Sequence, residues 1–400
     1  MFSRVFKAFQ YPDFRLLWFG ACTSSIGTWM QNLAQSWLVL QISGSPFLLG
    51  LNAFLADIPI FLFSMVGGVV ADRMDRRKLL LMSQFIQMTS AIVLTVLIAT
   101  KSIQIWHILV LSFIVGIAQA FGGPAYSALV PSLVSQEDLP NAIALNSIQF
   151  NVARVIGPVI GGLAMDHLGA AWCFGLNGLS FLAVIFSLLR LKINFNPPRT
   201  GESIFTGMKQ GIDFVRQRSM QKLIVIAFLM TALAIPMITF LPVFAKDVFH
   251  GSATTYTWFL ASSGIGSITG ALIVAAIGNV ARKGRIALLM LIALGAGITG
   301  TALSTNVYLT CLFVFFAGAS LMCAFAMISS LVQLITTNEM RGRVMSVYNV
   351  AFRGGMPIGS LATGWLVPIY TAPTVLAVNG VLLIGMGLYY LTFQRKVAAL

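Results

Sequence analysis

Apolar residues fall in long continuous runs separated by short polar turns. A helix needs about 20 mainly apolar residues to cross a bilayer core. The runs predict twelve such helices, at roughly 15–41, 46–71, 79–99, 104–131, 141–165, 171–190, 222–244, 255–279, 286–304, 307–335, 344–369 and 373–393. A transmembrane barrel would show short alternating segments instead, which this sequence lacks. One long polar segment, Leu191 to Gln221, interrupts the series with Pro197, Pro198, Gly201, Glu202, Lys209, Asp213, Arg216 and Arg218. It divides the chain into an N-terminal six-helix bundle (1–190), a cytoplasmic linker with room for an amphipathic helix (191–221) and a C-terminal six-helix bundle (222–400).

Composition agrees with an all-α polytopic membrane protein. The 400 residues are 58% hydrophobic and 9% charged, against about 25% charged in soluble domains. Disorder, collagen, coiled coil and disulfide scaffolds are excluded by the same numbers. The net charge of +14 is not gathered into a basic domain or stripe, so no nucleic-acid partner is expected. Its cations sit between apolar runs, where they orient membrane proteins. With the N-terminus inside, the outer loops hold only Lys101 and Lys246 of the 25 Lys and Arg, while Arg154 and Arg353 fall within spans. Both termini are therefore expected in the cytoplasm. No cleavable leader is expected, because the first apolar run is too long and no small-residue cleavage site follows it. Phe2, Val5, Phe6 and Phe9 share a helical face beside Arg4 and Lys7, so this stretch can lie along the inner leaflet or form a simple tail.

Candidate chemistry is sparse. Cys22, Cys173, Cys311 and Cys323 lie in apolar runs without metal-site spacing. His107, His167 and His250 are isolated at outer-face loops. No nucleotide-binding, metalloprotease or hydrolase motif appears. No metal, cofactor or enzyme activity is expected. Asp57, Arg154 and Arg353 are the charges inside spans, and each costs at least about 2.5–3.5 kcal/mol at a helix centre on insertion scales. Asp57 can bind and release a proton; the arginines keep their charge and can only modulate it or bind an anion. A permanent salt bridge with one arginine is the alternative role for Asp57.

The halves repeat. Arg154 precedes Pro158 by four residues, as Arg353 precedes Pro357, and ADRMDRRKLLLM (71–82) has a degraded copy in GNVARKGRIALLM (278–290). Repeated halves are a common design of secondary transporters. Helical spacing places Ser24, Thr28, Gln31 and Gln35 on one stripe, and Ser112, Gly116, Gln119, Gly123 and Tyr126 on another. Spans seven and ten add Met230, Thr231, Met237, Phe240, Ser320, Cys323, Met327 and Ser330. The expected substrate cavity is polar on the N-half and rich in Met and aromatic side chains on the C-half, with helix packing the alternative for each Met. Such a cavity suits an amphipathic organic molecule.

The segment Gly67-Gly68-Val-Val-Ala-Asp72-Arg73-Met-Asp75-Arg76-Arg77-Lys78 resembles the loop signature of the major facilitator superfamily. Gly157-Pro158-Val-Ile-Gly161-Gly162 resembles the fifth-span motif of its antiporters. FRLLWFGACTSSIGTWMQ (14–31), FGGPAYSALVPSLV (121–134) and RGRVMSVY (341–348) are similar to the enterobactin-exporter-like branch of drug and siderophore exporters. The resemblance implies two pseudo-symmetric six-helix bundles, alternating access, and export of a drug or siderophore-like molecule by proton antiport across a bacterial inner membrane. It implies that Gly68, Asp72, Arg73, Arg76 and Arg77 latch the halves together on the inside, although the arginines can also serve topology alone. It further implies that the small-residue pairs Gly157/Gly161, Gly266/Gly270 and Gly355/Gly359 lie where the bundles rock; static packing is the alternative. One departure concerns span four, where drug antiporters carry an arginine three residues before a glutamine: Gln119 is present, but that position is Gly116. The expected partners are the bilayer, protons and a small-molecule substrate, with a monomer as the working form. A lysolipid transporter and a non-transporting membrane sensor or assembly subunit are the other readings.

Overall fold

A computed structural model describes residues 6–191, 204–217, 220–278, 280, 282–394 and 397; at Asp72, 204–209 and Gln217 only the backbone is described. Phe2, Arg4 and Val5 lie outside the described residues, as do Lys192, Arg199, Arg218, Arg395 and Lys396.

The described residues form thirteen α-helices and no strand. They are α1 (Pro12–Ser43), α2 (Pro46–Arg73), α3 (Arg76–Ala99), α4 (Ile105–Leu129), α5 (Leu139–His167), α6 (Ala170–Arg190), α7 (Ile204–Gln217), α8 (Gln221–Val243), α9 (Ala253–Ile277), α10 (Lys283–Leu303), α11 (Val307–Ile335), α12 (Arg341–Tyr370) and α13 (Ala372–Thr392). Ten are long and apolar enough to cross a membrane. At the other two positions where spans are expected, α1 and α12 have 32 and 30 residues. They are more polar, carrying residues such as Gln31, Gln35, Arg343 and Arg353. Helices suit this solvent because they satisfy their own backbone hydrogen bonds, which lipid cannot do.

The chain divides into two compact units: Met1–Ile42 with Ile58–Gly201, and Ser43–Asp57 with Glu202–Leu400. Helix α2 is shared, its first turns belonging to the second unit.

Within the first unit, helices meet at small residues. A Cβ on Gly67 would strike the Ala120 carbonyl of α4, one on Gly122 the Ser83 side chain of α3, and one on Gly20 or Gly27 the α6 residues Ser187 or Ser180. Gly157 and Gly161 of α5 lie against Ile26, Trp29 and Met30 of α1. Gly68 does not share this role: a Cβ there meets nothing within 4 Å, so of the two adjacent glycines Gly67 alone marks a close helix approach.

The second unit is built the same way. Gly266 and Gly270 of α9 fit against Phe315 and Ala319 of α11, and Gly295 of α10 faces Gly380 of α13. Gly355 and Gly359 of α12 pack on Phe228, Thr231 and Ala232 of α8. All three small-residue pairs thus serve packing inside their own unit. The linker helix α7 sits on α12 through Gly211, beside Arg343 and Val347.

Charged residues collect at helix ends. Asp75 caps α3 by accepting from the Arg77 and Lys78 amides. Arg76 donates to the Ala128 carbonyl at the end of α4 (2.9 Å), and Arg77 to the Leu189 carbonyl at the end of α6 (2.7 Å). These last-turn carbonyls have no partner within their own helices, and cations there also oppose the helix dipole. The N-terminal 3-10 turn Lys7–Gln10 is clamped to the start of α5. The Ala8 amide donates to Asn141 (2.8 Å), Gln10 and Tyr11 reach Asp138 (both 2.9 Å), and Lys7 pairs with Asp138 (2.8 Å). Phe9 stacks on Phe19 and meets Trp18 edge-on. This turn is pinned to the bundle by specific bonds, unlike a simple tail.

Gly67→Ala should destabilise the protein by about 1–3 kcal/mol, the usual scale of overpacking, and Gly68→Ala should be nearly neutral; thermal melts of the two variants in detergent check this. The clamp should depend on pH. The Lys7 hydrogen bond, helped by Tyr11 and Gln10, holds the Asp138 carboxyl below its ordinary range, and the same bond raises Lys7. Its stabilisation is full above the ordinary carboxylate value of about 3.9 and vanishes as pH falls through the lower folded value; at the alkaline end it persists until Lys7 titrates, above about 10.4. The melting-temperature gap between wild type and Lys7→Met should therefore hold from pH 5 to 8 and begin to close below pH 4.

Candidate functional site

The first unit holds a half-open cavity of about 390 Å³. Helix α1 supplies Ser24, Ser25, Thr28 and Trp29; α3 supplies Ser83, Gln84 and Gln87; α4 supplies Gln119, Gly123, Tyr126 and Ser127; and α5 supplies Asn146, Gln149 and Phe150. Each set follows i, i+3 or i+4 spacing, so one face of each helix is turned inward. Below the cavity, toward the Arg73–Lys78 end of the unit, Phe14, Leu17, Leu79, Leu129, Leu145 and Leu188 form a buried core.

Hydrogen bonds set the cavity wall. Ser83 donates to the Ala118 carbonyl (2.7 Å), and Gln87 donates to Ser83 Oγ (3.1 Å). Gln119 reaches Gln87 at 3.4 Å. Tyr126 donates toward Asn146 (3.1 Å), and Gln149 donates to Ser25 (2.7 Å). No Asp, Glu, Lys, Arg or His lines this space. Amides and hydroxyls each keep both donor and acceptor capacity. The wall therefore offers neutral hydrogen bonding beside the aromatic faces of Trp29 and Phe150, which meet edge-on at 5.8 Å. The Arg154 guanidinium lies over Trp29, 5.7 Å from its ring centre, within reach of a cation–π contact.

Of the residues expected to line a substrate cavity, Ser24, Thr28, Gln119 and Tyr126 border this space. Gln31 and Gln35 lie outside the lining of this space. Asn177 donates to Gln31 (2.7 Å) and Gln35 donates to Ser112 (2.8 Å), tying α1 to α6 and α4. Met230, Met237 and Phe240 of α8 and Met327 of α11 are 0–3% exposed, so they are packed side chains in this structure. This corrects the expectation of a Met and aromatic cavity wall there.

The in-span charges separate. Arg154 stands in the first unit, while Asp57 and Arg353 fall in the second. Asp57 is half-buried and makes no hydrogen bond or ion pair among the described residues; the charge bearing on it is that of Arg353, beyond 4.0 Å. A fixed salt bridge for Asp57 is thus absent from this structure. Of the loop cluster, Arg73 is exposed, Arg76 and Arg77 cap helix ends, and the Asp72 side chain lies outside the described residues. In the fifth-span motif, Gly157, Pro158, Gly161 and Gly162 are all buried.

Over residues 3–399 the sequence matches the transmembrane secretion effector family of the major facilitator superfamily (MFS_3). The chain belongs to this family. Among its relatives, macrolide efflux protein A of Streptococcus pyogenes is 22% identical over 354 residues, covering 86% of this chain and 87% of that protein. The enterobactin exporter EntS of Shigella boydii serotype 4 is 25% identical over 382 residues, covering 94% and 91%. A crystal structure of the nucleoside transporter NupG shares the fold, with a TM-score of 0.72 at 15% identity over 96% of this chain and 99% of that one. The resemblance read from the loop and span motifs is thereby established at family level.

Sequence reasoning missed Ser25, Ser83, Gln84, Gln87, Asn146 and Gln149. The signal was available: Ser83-Gln84 and Gln87 are polar residues inside an apolar span, at a spacing that puts them on one face. Gly123 opens into the cavity, since a Cβ there meets nothing within 4 Å, whereas one on Gly122 meets Ser83. In a background without native cysteines, Gly123→Cys should react with a small water-soluble methanethiosulfonate at least about tenfold faster than Gly122→Cys, because thiolate chemistry follows access. Mass spectrometry after timed labelling reads the difference.

Proposed function

We propose that this transmembrane secretion effector is a secondary active transporter that exports an amphipathic small organic molecule of the drug or siderophore type. The observation that carries the proposal is the uncharged, hydrogen-bonding, aromatic-edged cavity inside a membrane bundle of a family whose named relatives handle macrolides and enterobactin. Neutral amides and hydroxyls match the oxygen-rich surface of such molecules, and Trp29 and Phe150 match their rings. Transport works by alternating access, in which the cargo site opens first to one side of the membrane and then to the other. In this reading α1 and α12 complete a set of twelve spans in two six-helix bundles. Both termini face the cytoplasm, following the Lys and Arg bias, and the protein acts as a monomer in a bacterial inner membrane.

Energy comes from proton antiport. Asp57 is the coupling acid, because it is an ionisable group within a span, free of a fixed ion pair, under the influence of Arg353. Arg154 serves the aromatic edge of the cavity and carries no proton. Asp72 and Arg73 act as the inner latch, and Arg76 and Arg77 hold the loop that presents them.

The test is transport in reconstituted liposomes with an imposed pH gradient, using a macrolide and a catecholate siderophore as cargo. Wild type should concentrate at least one of them. Asp57→Asn should lower uphill transport at least about tenfold, the scale of losing one proton-transfer group, while leaving downhill exchange in place. Uphill transport by Asp57→Asn at the wild-type rate would overturn the coupling role.

A further inference from the structure

The second unit contains a cavity of a different kind. It has a volume of about 400 Å³ and runs along the last turns of α11, from Phe325 and Ala326, past Ser329, Ser330 and Gln333, to Leu334 and then Arg341 at the start of α12. At 1.5 Å per residue, Phe325 to Leu334 spans about 14 Å of helix. The inner end is aromatic, with Phe325 resting on Phe352 at 4.7 Å. The outer end is cationic. Lys283, the first residue of α10, donates from Nζ to Ser330 Oγ at 3.1 Å, so its ammonium is hydrogen-bonded to a residue of the cavity lining. Arg341 is exposed and makes no hydrogen bond or ion pair among the described residues; the neighbouring acid Glu339 is not within 4.0 Å of it. No acidic side chain lines the cavity.

We propose that this cavity is a binding site for a phosphate group joined to an apolar body, separate from the cargo cavity of the first unit. A guanidinium presents a planar fork that matches phosphate oxygens in pairs, and an ammonium adds a second point charge. The hydroxyls of Ser329 and Ser330 supply further donors. The phosphate sits between Lys283 and Arg341 at the mouth, and the apolar body runs inward toward Phe325. The uncharged wall of the first cavity has no such preference. Two sources carry this chemistry: the headgroup of an anionic phospholipid, or a soluble organophosphate with a short alkyl or aryl group. Leu334, 65% exposed, leaves the cavity open at its apolar edge, as the first would require.

The test uses the full-length protein in nanodiscs of phosphatidylcholine with a small fraction of phosphatidylglycerol, read by native mass spectrometry. Wild type should retain phosphatidylglycerol over phosphatidylcholine. Lys283→Gln and Arg341→Gln should each lower that retention about tenfold, the scale of one charge-assisted hydrogen bond. Arg285→Gln, an exposed cation on the same helix outside the cavity, should not. A parallel titration with hexyl phosphate in detergent decides the source. Stabilisation of wild type, absent in the two cavity variants, assigns a soluble organophosphate; headgroup retention without it assigns the lipid. Equal loss in Arg285→Gln, or no effect of the cavity variants in either arm, overturns the proposal. Melting temperatures confirm that each variant is folded before it is scored.

Discussion

Lipid gives helices no hydrophobic reason to associate with one another, because the tails around them are as apolar as leucine. Each unit of this protein therefore rests on backbone-to-backbone approach. Gly67 meets Ala120, Gly157 meets α1, Gly266 meets Phe315 and Gly359 meets Ala232 at distances that a single methyl group would break. The glycines and serines are spent on holding helices together. Where a small residue is left without a partner helix, as at Gly123, it borders open space instead.

That constraint explains why polar residues inside the spans have two fates. Gln31 and Gln35 are used up by Asn177 and Ser112 and act as ties between helices. Gln119 and Gln149 also have protein partners, yet they border open volume and keep hydrogen-bonding capacity for a cargo. A buried amide without a partner is costly, so a membrane cavity lined by amides is stable only if they bond to each other when empty. The Ser83–Gln87–Gln119 and Ser25–Gln149 contacts meet that condition.

Formal charge is segregated. Arg76 and Arg77 complete the carbonyl ends of α4 and α6, and Asp138 gathers Lys7, Gln10 and Tyr11 at the start of α5. These interactions fasten the loops without placing ions in the core, where desolvation would outweigh their attraction. Asp57, Arg154 and Arg353 are the exceptions, charges inside spans: Arg154 lies over the Trp29 ring, and Asp57 makes no ion pair but feels the charge of Arg353. The two cavities follow the same division: the one within the first unit is neutral, and the one at the end of α11 borrows cations from helix starts.

The apolar runs determined the class of protein and the positions of its helices to within a few residues, because burial in lipid leaves a long one-dimensional signature; the charged loop motif, being local, pointed to its family. The neutral polar character of the N-half cavity was also legible, through Ser24, Thr28, Gln119 and Tyr126. What only the tertiary structure decided was which polar or small residue faces a cavity and which faces a neighbour. Gln31 and Gln119 look alike in the chain, as do Gly67 and Gly68, and Met230 and Met327 looked as available as Ser24. Their roles depend on which helix lies across from them, and in a span that is apolar on every side the period of the sequence does not mark that face.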